Sequence, residues 1–119
     1  MAARVVLDTN ALLMPFEFRI NLDLELKRLL GDCEVIVPGS VIGELRRSRN
    51  KFASAALQLA AKYPVERTQM QGDEAIVELA IASRAYVVTN DRPLRARLRR
   101  LKVPVISIRS GNHLVLEGD

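Results

Sequence analysis

The chain has 119 residues, 49% apolar and 27% charged, which is the balance of a soluble globular protein, and no apolar run approaches the ~18 residues a membrane helix needs. That length suits one ordinary domain spanning residues 1–119, and the single cysteine, Cys33, excludes an intramolecular disulfide. The net charge of +4 is unevenly placed: between Arg84 and Arg109 stand seven arginines and one lysine against the lone acid Asp91, and Arg46, Arg47, Arg49 and Lys51 form a second basic knot. Clusters of this kind suit a polyanionic partner.

The start, Met1-Ala2-Ala3-Arg4, lacks the layout of a secretory signal and predicts a cytoplasmic protein. Arg4–Leu7 reads as a short buried strand ending at an acid, Asp8. Asn10 is placed to cap an apolar turn over Ala11–Met14, which Pro15 should end. Leu22, Leu26, Leu29 and Leu30 fall at helical spacing after Asn21, and Gly31 closes that helix. Cys33–Val37 is a second strand, stopped by Pro38. Ser40 is expected to cap a helix reaching Ser48, and a further helix covers Phe52–Tyr63. Pro64–Arg67 reads as a short strand, Asp73–Ser83 as a helix, and Tyr86–Thr89 as a strand. Asn90 or Asp91 opens a helix to about Leu101, Val103–Ile108 forms another strand, and His113–Glu117 adds a short edge strand. Strands alternating with helices predict a three-layer α/β/α fold with a central parallel sheet of about five strands.

In such a sheet, ligands bind beyond the carboxyl ends of the strands, where strand order reverses. Asp8 and Asp91 sit at two of those ends and face each other if their strands are neighbours. Helical phase puts Asp73 on the same side as Ile76 and Ala80, whereas Glu74 and Glu78 point away. Glu44 falls near the Val41/Leu45 side of its helix and leans toward the same crevice. Taken singly, each acid has an ordinary use, as a helix cap or as a partner for a base such as Arg47 one turn on. Gathered together, they would repel until one took up a proton or a divalent cation bound. Mg²⁺ and Mn²⁺ favour oxygen ligands, and two such ions are a common means of phosphodiester cleavage.

Other chemistries find little support. With one histidine, His113 in the tail, and one cysteine, neither a zinc site nor a Cys–His pair can be assembled in the usual way. Gly39 and Gly43 lack the spacing and the lysine of a phosphate-binding loop.

The segments Val5-Val6-Leu7-Asp8-Thr9-Asn10, Val37-Pro38 through Glu44-Leu45, Asp73 through Ala80, and Val87-Val88-Thr89-Asn90-Asp91-Arg92-Pro93-Leu94 resemble, in order and spacing, those of the PIN-domain family. The resemblance implies strand order 3-2-1-4-5, Mg²⁺ or Mn²⁺ at an acidic pocket, and cleavage of single-stranded RNA. It implies catalytic roles for Asp8, Glu44, Asp73 and Asp91, with Asp8, Asp73 and Asp91 as metal ligands and Thr9, Asn10 and Thr89 as supporting polar groups. It extends to stand-alone archaeal-type members akin to rRNA-processing nucleases and to VapBC toxins, and so to a homodimer with an antitoxin or a ribosome-assembly partner. On the helix after Asp91, a buried stripe of Leu94, Leu98 and Leu101 leaves Arg92, Arg95, Arg99 and Lys102 along one flank to take RNA, with Arg46 from the second knot. Phe16 and Phe18 either stack on bases or pack on the core or a partner subunit. The alternative reading is a non-catalytic RNA-binding or ribosome-assembly module on the same fold. A receiver-like signalling domain fits less well, because paired helices follow the second strand and no lysine closes the last long one.

Overall fold

The computed structural model describes residues 2–118. In chain order the elements are β1 (Ala3–Leu7), α1 (Thr9–Phe18), α2 (Leu22–Leu30), β2 (Cys33–Pro38), α3 (Gly39–Arg47), α4 (Ala53–Ala60), β3 (Val65–Glu66), α5 (Gly72–Ser83), β4 (Tyr86–Val88), α6 (Arg92–Arg100), β5 (Val105–Arg109) and β6 (His113–Leu116). They build one six-stranded sheet in the order β3-β2-β1-β4-β5-β6. The first five strands in that order are parallel, and β6 runs antiparallel to β5. The tail therefore extends the expected five-stranded sheet by one edge strand.

The chain winds outward from β1 through β2 to β3, then returns to the other side of β1 to lay down β4. Right-handed crossovers in opposite directions put helices on both faces. The inner strands are accordingly apolar on both sides: Val5, Val6, Leu7, Val87 and Val88 are all fully buried. Register pairs Leu7 with Val88, so Asp8 and Thr89 leave the sheet side by side. Among the described residues, no helix is long and apolar enough to cross a membrane.

Local details depart from the sequence expectations in four places. Asp8, not Asn10, caps α1: the strand ends at Leu7, so the next residue already turns, and its Oδ1 accepts from the Ala11 N–H at 2.7 Å. Pro15 lies inside α1 and does not end it. The proline removes one N–H, but buried Leu12, Leu13 and Met14 hold the helix to the core, and Phe16 stacks on Phe52 with ring centroids 6.3 Å apart. Ser40 falls within α3, whose N-cap is Pro38. Leu101 is 46% exposed rather than buried, because α6 stops at Arg100 and the helical phase is lost in the turn at Lys102.

Candidate active site

Strand order reverses between β1 and β4, and the acids collect at that point. Asp8 ends β1 and caps α1; Asp91 follows β4 and caps α6, its Oδ1 accepting from the Leu94 N–H at 2.9 Å. Each capping bond fixes a carboxylate through one oxygen. Gly72, at φ 58°, turns the chain in a way that side chains disfavour and starts α5 just ahead of Asp73. Glu44, exposed on α3, accepts from the Thr9 hydroxyl at 2.8 Å, which ties it to the first turn of α1.

The electrostatics show how closely these groups lie. Burial pushes the Asp8 carboxyl up from an ordinary 3.8 to about 7. The Thr89 hydroxyl and the Ala11 N–H pull it down, while the charges of Asp91 and Asp73 push it further up. Asp73 is raised as well, first by desolvation and then by Asp91 and Glu44. Thus the acids named from the sequence stand within reach of one another's fields. They do not close into a ready cage: among the described residues, no three Asp, Glu, His or Cys side chains converge on one point. An all-oxygen donor set around a buried, repelled carboxyl still fits Mg²⁺ or Mn²⁺ that keeps several waters and takes only one or two protein ligands directly.

Thr89 links the two strand-end acids. It is fully buried, its Oγ1 accepts from the Asp91 N–H at 3.1 Å, and its hydroxyl serves Asp8. Valine matches its shape but strands both groups. Thr89→Val is expected to destabilise the protein by about 1–3 kcal/mol in urea unfolding, while Thr89→Ser should lose much less. Equal stability of the valine variant would remove Thr89 from this role. Its neighbour Asn90 has a plainer use, accepting from the Ile108 N–H at 3.1 Å to pin the turn to β5. Asn10 is exposed on the first turn of α1.

Sequence reasoning missed Arg97. It makes a bidentate ion pair with Glu74 and lies close enough to Asp73 to lower its carboxyl, so it is a cation set beside the acids. Glu74, expected to be merely solvated, is what holds it there. The arginine run announced a base but not its direction, which depends on α5 meeting α6. The expected RNA flank is placed differently. Arg95 pairs with Glu117 at 2.7 Å, and Arg99 lies 4.0 Å from the same carboxylate, both facing the β6 tail. Arg92, Lys102 and Arg46 are exposed. A wide cleft of about 880 Å³, bordered by Tyr86, Arg99, Arg100 and Lys102, lies over this edge of the sheet. That cleft lies where β4 and β5 begin, the end of the strands away from the acids; at the same end Cys33 borders a second cleft, and burial with the nearby Asp23 and Asp32 pushes its thiol up, away from thiolate chemistry.

A parallel sheet whose acids gather where strand order reverses defines an α/β protein of PIN type. The family described as PIN like domain matches residues 5–111, and the chain belongs to it. It is 30% identical to ribonuclease VapC4 of Methanocaldococcus jannaschii over 97% of each chain. It is 25% identical to ribonuclease VapC9 of Archaeoglobus fulgidus, across 94% of this chain and 87% of that one. Among solved structures it is similar to the PIN domain endonuclease Utp24, with a TM-score of 0.81 at 24% identity over 96% of this chain and 90% of the other. It is also similar to a domain of a functionally unknown protein from Methanocaldococcus jannaschii, with a TM-score of 0.68 at 17% identity over 92% and 93%. At these identities the two structural likenesses bear on fold alone.

Proposed function

We propose that this chain is a divalent-metal-dependent endoribonuclease that cleaves phosphodiester bonds of single-stranded RNA, working in the cytoplasm as one PIN-like unit over residues 1–119. The observation that supports it most is Asp8, a buried carboxyl at the reversal of strand order, raised to about 7 and pressed by two more acids. A fold gains no stability from such a group, so its use lies in binding charge. The two ribonuclease names among the relatives agree with that reading.

In this reading Asp8, Asp73 and Asp91 would hold Mg²⁺ or Mn²⁺, in part through its waters, and the ion would neutralise developing charge and make a water easier to deprotonate for attack on phosphorus. Glu44, steadied by Thr9, orients the attacking water. Thr89 keeps Asp8 and Asp91 in register, and Asn10 offers a further polar group at the mouth. The N-termini of α1 and α6 add partial positive charge where the phosphate approaches. Arg97 balances the acids, and Arg92, Arg99, Lys102 and Arg46 draw the strand in electrostatically, whereas Arg95 is held by Glu117. A homodimer would set two acid sites beside one basic surface. The VapC names favour the toxin side of the resemblance, and with it an antitoxin partner, over a role in rRNA processing with a ribosome-assembly partner.

The test is cleavage of single-stranded RNA by the purified chain with Mg²⁺ or Mn²⁺, stopped by EDTA. Asp91→Asn keeps the helix cap, so its fold should survive, while its cleavage rate should fall at least about a thousandfold. Activity retained in that variant would remove Asp91 from the chemistry. The second reading is a module that binds RNA without cutting it, which the exposed bases Arg46, Arg92 and Lys102 would serve equally well. That reading expects salt-sensitive binding and no metal-dependent cleavage.

A further inference from the structure

We propose that the hollow between the start of α3 and the segment joining β3 to α5 is a subsite for a backbone phosphate of the RNA, next to the acids. It rests on the ribonuclease reading and extends it to how the strand is held. The hollow, about 260 Å³, is lined by two arginines, Arg47 and Arg67, and by Ser40, Thr68 and Gln71, with no acid among its lining residues. Neither Arg47 nor Arg67 has a carboxylate within 4.0 Å among the described residues. Two unpaired cations sharing one hollow repel each other, and an anion between them relieves that repulsion.

The local backbone suits the same ligand. Gly43 borders the hollow, and Arg47 folds back over its own helix there, a guanidinium nitrogen lying 3.2 Å from where a Cβ of residue 43 would stand. The Ser40 hydroxyl is buried with no protein partner. Thr68, by contrast, donates to the Met70 carbonyl and shapes the loop.

Position selects a nucleic-acid strand over other anions. Gly43 immediately precedes Glu44 on α3, and Gln71 stands two residues before Asp73 at the start of α5. Glu44 and Asp73 are near enough for the one charge to raise the other. The hollow therefore adjoins the acid site from both of its walls, and a strand whose scissile phosphate reaches the acids carries its next phosphate toward Arg47 and Arg67.

The experiment measures binding of a non-cleavable 2′-O-methyl single-stranded oligonucleotide by fluorescence anisotropy, with Mg²⁺ present and salt varied. For single strands each phosphate contact adds about 0.7 to the slope of log affinity against log salt, so Arg47→Gln with Arg67→Gln, which empties a site for one phosphate, should lower that slope by about 0.7 and weaken binding about fivefold at 0.1 M salt. The Lys pair should keep most of the slope, which separates lost charge from damaged folding. Arg100→Gln on the far cleft should leave this component in place. An unchanged slope in the double Gln variant overturns the subsite, as does wild-type protein that fails to bind the strand. Inorganic phosphate competing as well as the oligonucleotide would assign the hollow to a free anion and overturn it too. Binding that falls as expected in a protein that cuts no RNA would leave the subsite standing and remove the ribonuclease reading. Cleavage with an unchanged KM in the double variant would do the reverse.

Discussion

Asp8→Asn is expected to make the metal-free protein more stable while abolishing its cleavage of RNA. The Asp8 carboxyl titrates near 7 in the folded chain, mainly because it is buried, against an ordinary 3.8. The sign is opposite to that of a salt-bridged aspartate. Between about pH 4 and pH 7 the folded state holds a proton that the unfolded state has released, so stability falls as pH rises through that window and levels off above it. The difference amounts to about 4 kcal/mol at pH 8. Asparagine carries no charge and caps a helix as well as aspartate, so the bond from the Ala11 N–H is kept. Urea unfolding in EDTA should therefore show Asp8→Asn ahead of the natural protein by about 4 kcal/mol at pH 8, by about 1–2 kcal/mol at pH 5, and level with it at pH 3. A variant that gains nothing at pH 8 would mean that Asp8 is better compensated than its surroundings indicate. The trade of stability for activity at one residue is what a functional carboxyl predicts and a mere helix cap does not.

Asp8 is legible in the amino-acid sequence and the role of Arg97 is not, because the two depend on signals of different range. Strand ends are local: Val5–Leu7 and Val87–Val88 are apolar runs cut off by polar residues, so the acids that follow must sit at the sheet's edge. Helical phase is nearly as local, and it puts Asp73 on the inner side, where its carboxyl feels Asp91 and Glu44. Partners across elements are not local. Arg97 finds Glu74, 23 residues away, only because α5 and α6 meet, and Arg95 finds Glu117 only because β6 folds back beside β5. The adjacency of β1 and β4, on which the whole site depends, follows from the family resemblance and not from periodicity. Termination signals fail where tertiary packing outweighs them: Pro15 sits within a helix pinned by Leu12, Leu13 and Met14, and Leu101 keeps its apolar character but loses its burial once α6 unwinds.

Adding Mn²⁺ or Mg²⁺ is expected to offset much of the penalty that Asp8 imposes. An ion that binds only the folded chain stabilises it by about 2.7 kcal/mol at a hundred times its Kd, roughly 10 °C in Tm for a domain of this size. The ion displaces a proton from Asp8 wherever that carboxyl is still protonated, so binding at pH 5 must work against the proton and binding at pH 8 need not. Thermal unfolding at a fixed ion concentration should thus show a larger rise at pH 8 than at pH 5, with proton release on binding measurable at the lower pH. In Asp8→Asn the rise should nearly vanish, although that variant starts from the higher Tm. The narrowing of the difference is the discriminating feature: the variant more stable in EDTA, the natural chain closing the gap as ion is added. Equal shifts in both proteins, or a shift indifferent to pH, would place the ion somewhere other than beside Asp8, and the acids at the strand ends would then need another explanation for their mutual approach.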